Sequence, residues 1–397
     1  MLLGVIGKPN TGKSTFFKAL TLADVLIANY PFATIKPNHG MGFVKIDCAD
    51  SFFNVQCNPR EGFCINHKRF VPVELIDVAG LVPGAHEGKG MGNQFLDDLN
   101  QAHALIHVID AAGSTNEKGE PVPANSYDPV NDVKFLEEEL DYWYAGILKR
   151  GWEKFARKIQ QEQSDVAKAL GKQLSGLRVT EDMVKEMINT LKLDPVKPAN
   201  WTEDQLMQLS TMLRKRTKPM IIAANKIDVS GAKQNLERLK KQFPDYVIIG
   251  CSAESELALK EAARHKVIEY TPGENKFTIL SDKLNDKQKQ ALQFIQELLD
   301  QNGSTGAQEI INKAVFDVLQ YIAIFPGGLN KLEDQYGNIL PDCFLLPPKT
   351  TALQFAFNIH TDLGEHFIKA IDVKTKRAVG KEHLLKNLDV VEIITSK

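Results

Sequence analysis

The chain has 397 residues, of which 43% are hydrophobic and 25% charged, an ordinary globular composition with length for two or three domains. Its 48 Lys and Arg against 50 Asp and Glu give a formal charge of -2, so no overall field attracts nucleic acid or a membrane surface. No apolar run approaches the roughly 20 residues that cross a bilayer, and five cysteines do not make a secreted disulfide framework. We therefore expect a cytoplasmic protein with no membrane partner and no DNA partner.

The first motif follows a short apolar strand at the N-terminus. Residues 7–14 read GKPNTGKS, which fits the pattern G-x-x-x-x-G-K-[ST], and a helix-compatible run follows directly. The glycines let the backbone wrap closely, so that successive N–H groups and the positive end of the helix face phosphate oxygens. The pattern predicts a phosphate-binding loop for a nucleotide. Its predicted contact residues are Gly7, Lys8, Pro9, Asn10, Thr11, Gly12, Lys13, Ser14 and Thr15.

Side chains near this loop supply charge and metal ligands. Lys13 can neutralise the outer phosphates, and the hydroxyl of Ser14 can bind Mg²⁺. Further along, the segment NYPFATIKPN at 29–38 offers Thr34, whose hydroxyl can close over the same metal. The position of residues 29–38 in the chain predicts that they form a switch segment.

A pair of cysteines comes next. The stretch CNPREGFC at 57–64 places a turn between Cys57 and Cys64, and His67 follows shortly after. A hairpin of this kind leaves three states open: free thiols, a disulfide, or part of a metal site, since a closed zinc site needs four ligands.

The second nucleotide motif is VPVELIDVAG at 71–80, an apolar strand that runs into a polar end. Asp77 at the strand end can hold the Mg²⁺ shell, and Gly80 lets the backbone approach the terminal phosphate, whose loss on hydrolysis would release the following segment. The predicted metal ligands are therefore Ser14, Thr34 and Asp77, and the predicted catalytic residues are Lys13, Thr34 and Gly80.

More than a hundred residues separate the next strand, HALIHVIDAAG at 103–113, from the third motif. From Val133 onward, apolar residues recur at helical spacing with charges between them, and a capping box at Thr202 to Gln205 opens a last helix. We predict a helical insertion over 130–214, a coiled-coil-like hairpin, inside a nucleotide-binding domain made of residues 1–129 and 215–330.

The third motif selects the base. The strand KPMIIAANKID at 218–228 ends in N-K-x-D, in which the Asp228 carboxylate, an acceptor only, receives hydrogen bonds from the ring N–H and exocyclic amine of guanine. Adenine lacks that amine and offers an acceptor at the ring position, and sites built on such bonds can reject the mismatched ligand by about 10⁴-fold. The motif predicts a guanine nucleotide.

Other residues complete the predicted base site. Lys226 can lay its aliphatic stem on the ring, and Asn225 can tie the base loop to the phosphate loop. After a fourth apolar strand, in VIIGCSAES at 247–255, a backbone N–H at Ser252 and Ala253 can reach the guanine oxygen.

The C-terminal third changes character. Two helices are predicted within 282–325, the second introduced by a capping box from Thr305 to Gln308. The tail, 335–397, alternates a strand (CFLLPP), an amphipathic helix (TTALQFAFNIHTDLGEHF) and further strands with turns, and it resembles a TGS domain, a small β-grasp module.

GKPNTGKST, NYPFATIKPN, DVAGLVPGAHEGKGMGNQFL and NKID resemble the Obg family of translation-factor-class GTPases, specifically its YchF-type branch. The resemblance implies an α/β fold: a P-loop NTPase sheet of the Ras-like GTPase kind, with a helical coiled-coil insertion and a C-terminal β-grasp (TGS) domain. It implies the ribosome or RNA as partner. YchF-type proteins are known for using ATP and usually carry a degenerate N-x-x-E motif, whereas the intact NKID here favours GTP.

Two features bear on how hydrolysis proceeds. Leu81 stands directly after D-x-x-G, as in the hydrophobic-substituted GTPases that it resembles, and cannot orient water. The attacking water is then positioned by His86 or Lys89, by a partner, or by an ion. Asn10 resembles the residue at this loop position in GTPases activated by potassium, which adds K⁺ to the predicted cofactors GTP and Mg²⁺. The sequence supplies no obvious arginine finger, so we predict slow intrinsic turnover without a partner.

Three functions remain open on the sequence. The first is a GTP-hydrolysing switch that acts with the ribosome or RNA. The second is an ATPase like the YchF-type relatives. The third is a nucleotide-gated ribosome- or RNA-binding module in which hydrolysis is incidental.

Overall fold

The structure, a computed structural model, describes residues 1–22, 38–78 and 98–396. No helix within these ranges is both long and apolar enough to span a membrane. The strands are β1 Leu2–Ile6, β2 His39–Asp47, β3 Phe63–Ile65, β4 Lys68–Asp77, β5 Ala104–Asp110, β6 Met220–Asn225, β7 Val247–Gly250, β8 Ile268–Tyr270, β9 Phe277–Ile279, β10 Ile322–Pro326, β11 Phe344–Leu346, β12 Phe367–Asp372, β13 Arg377–Val379 and β14 Val390–Thr395. The helices are α1 Lys13–Thr21, α2 Val130–Lys149, α3 Trp152–Glu162, α4 Val166–Gln173, α5 Glu181–Thr190, α6 Glu203–Thr217, α7 Ala232–Gln242, α8 Ala253–Arg264, α9 Asp286–Asn302, α10 Ala307–Lys313, α11 Ala352–Ile359 and α12 Thr361–Glu365.

The chain divides into two compact units. The first consists of residue 1, 15–75 and 252–397, and the second of 2–14 and 76–251.

A parallel sheet forms the centre of the second unit. Strand β5 pairs in parallel with β1 and with β6, and β6 pairs in parallel with β7. Strands β1, β5 and β6 are buried along their whole length, which explains why they read as continuous apolar runs and not as alternating patterns. Just past β4, the N–H of Val78 donates to Val5 O at 2.9 Å. The carboxyl ends of these strands therefore carry the sequence motifs at one edge, as the predicted α/β fold requires.

The insertion is a bundle of five helices, α2 to α6, and not the coiled-coil-like hairpin that the sequence predicted. The backbone turns into the left-handed region at Gly151, Gln163 and Arg178, and each of these turns ends or separates helices that a hairpin would have kept continuous. The rings of Trp152 and Trp201 stack with centroids 5.4 Å apart inside the shared core. The predicted capping box at the start of α6 is present.

The first unit contains β2 to β4, helices α8 to α10 and a five-stranded sheet in the order β11-β10-β14-β12-β13. Strand β14 runs parallel to β10 and antiparallel to β12, and α11 covers one face through Phe355. This is the predicted β-grasp module. Its sheet includes β10, which precedes residue 335. The predicted amphipathic helix is divided into α11 and α12 because His360 adopts an extended backbone with φ -161° and ψ 142°.

The predicted capping box at Thr305 to Gln308 is wrong. Helix α10 begins after Gly306, which has φ 81° and offers no side chain to cap the helix. The hydroxyl of Thr305 instead donates to Glu256 at 2.5 Å, and the amide of Gln308 donates to Phe43 O at 2.8 Å. Both side chains therefore bind residues far away in the sequence and do not cap the start of the helix.

Candidate nucleotide site

The loop at residues 7–14 is held tightly against the ends of the parallel strands. A Cβ added to Gly7 would lie 2.4 Å from Val108 O, and one added to Gly12 would lie 2.2 Å from Nδ2 of Asn225. Gly12 also has φ +88°, a conformation that side chains disfavour. Helix α1 starts at Lys13, so its first N–H groups, which have no partner within the helix, are available at the loop.

Lys13 and Asp77 are in direct contact. The ammonium of Lys13 donates to Oδ1 of Asp77, and the two side chains are 12% and 20% exposed. The fold thus brings the cation predicted for the phosphates to the carboxylate predicted for Mg²⁺. Ser14 follows in the first turn of α1 and is exposed. Such an arrangement can bind a phosphate group and a divalent cation side by side.

A hydrogen bond links the base motif to the phosphate loop. The side-chain amide of Asn225, at the end of β6, donates to Thr11 O at 2.9 Å, and Asn225 is buried. This is the tie predicted from the sequence. Because Asn225 stands three residues before Asp228, it fixes the distance between the loop and the predicted base reader.

Asp228 lies in the turn after β6 and is half-buried. Among the residues that the structure describes, its carboxylate has no hydrogen-bond or ion-pair partner. The same turn is fixed by the N–H of Ile227, which donates to Cys251 O at 3.1 Å. An acceptor without a partner in a fixed turn is suited to bind a donor pair on a ligand.

Lys226 has a partner that the sequence reasoning missed. Its ammonium lies 2.8 Å from Oδ2 of Asp110 and 3.1 Å from the hydroxyl of Ser114. Burial opposes ionisation of Asp110, but hydrogen bonds from Lys226, Ser114 and Thr115 hold the pKa of Asp110 below its usual value. The available signal was the position of Asp110, which ends an apolar strand as Asp77 does.

Ser252 and Ala253 begin helix α8. Ser252 is its N-cap, since its hydroxyl accepts from the N–H of Ser255 at 3.3 Å, and Ala253 is the first helical residue. Their contact with guanine stays a prediction. The switch residues Thr34 and Gly80, and likewise Leu81, His86 and Lys89, lie outside the described residues.

Lys8 turns its side chain into the protein. Its ammonium lies 2.7 Å from Oδ1 of Asp132 and 3.0 Å from Thr115 O, and it sits 4.0 Å from the ring centroid of Tyr127. Only the backbone of Lys8 is left for the predicted phosphate contact. Asn10, with φ 62°, donates its side-chain amide to Gly119 O at 2.8 Å, which fixes the orientation of the group predicted to bind potassium.

Lys8→Met should destabilise the protein by about 3 kcal/mol, because it leaves the buried Asp132 carboxylate without its cation. Burial raises the pKa of Asp132, and Lys8 opposes that shift by favouring the charged form. Urea unfolding at pH 7 measures the loss. The double variant Lys8→Met/Asp132→Asn, which removes the stranded charge, should recover at least half of it. A single variant as stable as the parent chain would show that the ion pair contributes nothing.

Comparison with known proteins extends over the whole chain. Residues 2–137 match the family described as 50S ribosome-binding GTPase, residues 223–327 match the Obg-like GTPase YGR210-like, G4 motif-containing domain, and residues 336–395 match the TGS domain. An uncharacterized GTP-binding protein of Methanocaldococcus jannaschii is 49% identical over 100% of this chain and 99% of its own length.

A more distant relative and one solved structure extend these matches. The ribosome-binding ATPase YchF of Buchnera aphidicola is 27% identical over 94% of this chain and 88% of its own length. The crystal structure of a GTP-binding protein from Pyrococcus horikoshii matches with a TM-score of 0.79 and 38% identity over 100% of both chains. The P-loop GTPase and TGS folds predicted from the sequence are confirmed.

Proposed function

We propose that this chain, which belongs to the YchF-type branch of the Obg-like P-loop GTPase family and is a nucleotide hydrolase, uses GTP in preference to ATP. The observation that supports this proposal is the combination of two features in the base motif. The Asn225 amide ties the motif to Thr11 at 2.9 Å, while the carboxylate of Asp228 is left without a partner among the described residues. Guanine supplies the two donors that this carboxylate needs, whereas adenine presents an acceptor there.

We assign binding of the phosphates and Mg²⁺ to the loop at residues 7–14 and to the end of strand β4. We assign charge neutralisation to Lys13 and metal binding to Ser14, Asp77 and Thr34, with Gly80 approaching the terminal phosphate. When Mg²⁺ and a triphosphate bind, the contact between Lys13 and Asp77 would be replaced by contacts to phosphate and metal, because each charge gains a partner of opposite sign. Potassium, held by the amide oxygen of Asn10, should make hydrolysis faster than sodium at equal ionic strength.

The ribosome is the proposed partner. Relatives that bear the name ribosome-binding ATPase align with nearly the whole of this chain, including the residues of its TGS module. In this proposal the bound nucleotide sets the state of the switch segment around Thr34, and that state controls attachment to the ribosome.

Competitive binding of GTP and ATP in the presence of Mg²⁺ tests the nucleotide assignment. We expect GTP to bind more tightly by at least about 10³-fold, since ATP leaves the Asp228 carboxylate partly unpaired in a site built to fill it. Equal affinities, or tighter binding of ATP, would favour the ATPase function of the YchF relatives instead.

Sedimentation with ribosomes tests the partner. The chain should co-sediment more strongly with a non-hydrolysable GTP analogue than with GDP, and Thr34→Ala should remove the difference while leaving GDP binding unchanged. Association that ignores the nucleotide would overturn the switch and leave a ribosome-binding module with incidental hydrolysis.

A further inference from the structure

A compact group of thiols and one carboxylate lies in the first unit. One potential ligand atom from each of Cys48, Asp50, Cys57 and Cys64 lies within 4.8 Å of every other. The Sγ atoms of Cys48 and Cys57 are 3.5 Å apart, and Sγ of Cys64 is 3.8 Å from Oδ2 of Asp50. A zinc ion with bonds of about 2.3 Å to tetrahedral sulfur ligands requires ligand separations of about 3.8 Å. The separations of 3.5 Å and 3.8 Å are close to this value, and no separation within the group exceeds 4.8 Å, so one zinc ion can reach all four ligand atoms.

The local backbone explains why these residues meet. Cys48 follows β2 and starts a single 3₁₀ turn, Ala49–Phe53, which ends at Asn54 in the left-handed region. The returning chain places the N–H of Cys57 3.0 Å from Oδ2 of Asp50. The β3–β4 hairpin then places Cys64 next to the group.

Two side chains that can carry positive charge contact the proposed ligands, as outer side chains do in known metal sites. Nδ1 of His67 lies 3.0 Å from Oδ1 of Asp50, and a guanidinium nitrogen of Arg69 lies 3.7 Å from Sγ of Cys57. Asp50 and Arg69 are almost completely buried. Three thiolates and one carboxylate exceed the charge of a zinc ion by two, and these two cationic or proton-donating side chains offset that excess.

A disulfide or three free thiols would fit the geometry of this group less well than a metal site does. A disulfide needs sulfurs about 2.05 Å apart, and all five cysteines of the chain are free thiols in the structure. A disulfide would also leave a third thiol and a buried carboxylate together.

We propose that Cys48, Cys57, Cys64 and Asp50 bind one zinc ion, with His67 holding the Asp50 carboxylate from outside. On binding, each thiol that is still protonated releases its proton to solvent and its sulfur donates an electron pair to the metal, so nothing is oxidised or reduced. All four positions are filled by the protein, which makes the site structural and not catalytic.

The loop after Cys57 and strand β4 also hold a segment of the TGS module. The N–H groups of Asn58 and Arg60 donate to Ile339 O at 2.8 Å and Pro341 O at 2.9 Å. The Arg69 guanidinium donates to Leu340 O at 3.0 Å and to Pro341 O at 2.7 Å. Zinc would therefore stabilise the surface on which residues 339–341 are seated.

Metal analysis of the full chain tests the proposal. After dialysis against zinc in reducing buffer and removal of free metal, elemental analysis should find one zinc per chain. Cys57→Ser/Cys64→Ser should lose it, whereas Cys343→Ser, a matched change at a cysteine outside the group, should keep it. His67→Ala should weaken zinc about 10-fold, since it removes only the outer contact to the Asp50 carboxylate.

A second measurement needs only the unchanged chain. Cobalt(II) replacing zinc should give the intense visible bands of tetrahedral thiolate coordination, and chelation of the metal should increase hydrogen exchange in residues 57–64 and 339–341. The proposal is overturned if the unchanged chain retains no more zinc than the double variant, or if cobalt gives the weak spectrum of octahedral oxygen ligands. Identification of a Cys48–Cys57 disulfide in the native chain would overturn it as well.

Discussion

Asp228→Asn should lower the affinity for GTP by roughly 10³-fold and leave the affinity for ATP almost unchanged. In the proposed site the carboxylate accepts two hydrogen bonds from guanine, and bonds to a charged acceptor contribute about 1.5–3 kcal/mol each. An asparagine side chain turns one acceptor into a donor, which then opposes the exocyclic amine of guanine. ATP makes no such bonds, so it has little to lose. Titration with a fluorescent guanine nucleotide, competed by GTP and ATP, measures both affinities.

Binding of xanthosine triphosphate distinguishes a loss of base recognition from a loss of folding in this variant. Xanthine carries a carbonyl where guanine carries the amine, so the amide of the variant can donate to it, and the variant should bind this nucleotide better than the unchanged chain does. Asp245→Asn, the same change at an exposed position, is the matched control and should alter neither affinity. If Asp228→Asn still bound GTP as tightly as the parent chain, Asp228 would not read the base.

Much of the nucleotide site could be predicted because the fold uses sequence signals that are local. The phosphate loop and the base motif follow β1 and β6, which are buried along their whole length, and such strands read as apolar runs of a few residues with a polar end. Parallel strands bring those ends to one edge of a sheet, which is why Lys13, Asp77 and Asn225 could be expected near one another before any coordinates were known. Glycine at position 12 was predictable for the same reason, since the loop pattern requires it.

What could not be predicted depends on partners far apart in the chain. Lys8 belongs to the phosphate loop by pattern, yet its side chain pairs with Asp132, which is 124 positions away. Lys226 pairs with Asp110 across 116 positions. The motif states which residue types occur at which spacing, but the direction of a long side chain is decided by whichever buried charge it can neutralise. The spacing of residues in the sequence does not show which buried charge that is.

The cysteine group illustrates the same limit. The stretch from Cys57 to Cys64 suggested a hairpin with two possible ligands and left its state open. Cys48 and Asp50 precede it and show no ligand spacing of their own, because the 3₁₀ turn after β2, and not a short repeat, brings them into the group. In the helical insertion, periodicity located the helices, but two of the left-handed residues that separate them, Gln163 and Arg178, are residue types that give no turn signal.

Gly12→Ala should reduce nucleotide affinity by roughly 10²-fold. The left-handed backbone at this position costs a side chain about 1–2 kcal/mol, and the new Cβ would lie 2.2 Å from Nδ2 of Asn225. Relief of that overlap displaces Asn225 and breaks its bond to Thr11 O, worth about 1 kcal/mol, and also shifts the N–H groups that are predicted to face phosphate. Binding of GDP and GTP by calorimetry measures the loss.

Gly146→Ala is the matched control for this change. Gly146 is exposed within α2 and an added Cβ meets no atom within 4 Å, so alanine there should stabilise the chain by about 0.5–1 kcal/mol and leave nucleotide binding unchanged. Loss of affinity for both bases alike in Gly12→Ala, against selective loss for guanine in Asp228→Asn, would separate the phosphate loop from the base reader. Unchanged affinity in Gly12→Ala would mean that the tie between Asn225 and Thr11 can yield without cost, and the link between the two halves of the site would lose its role.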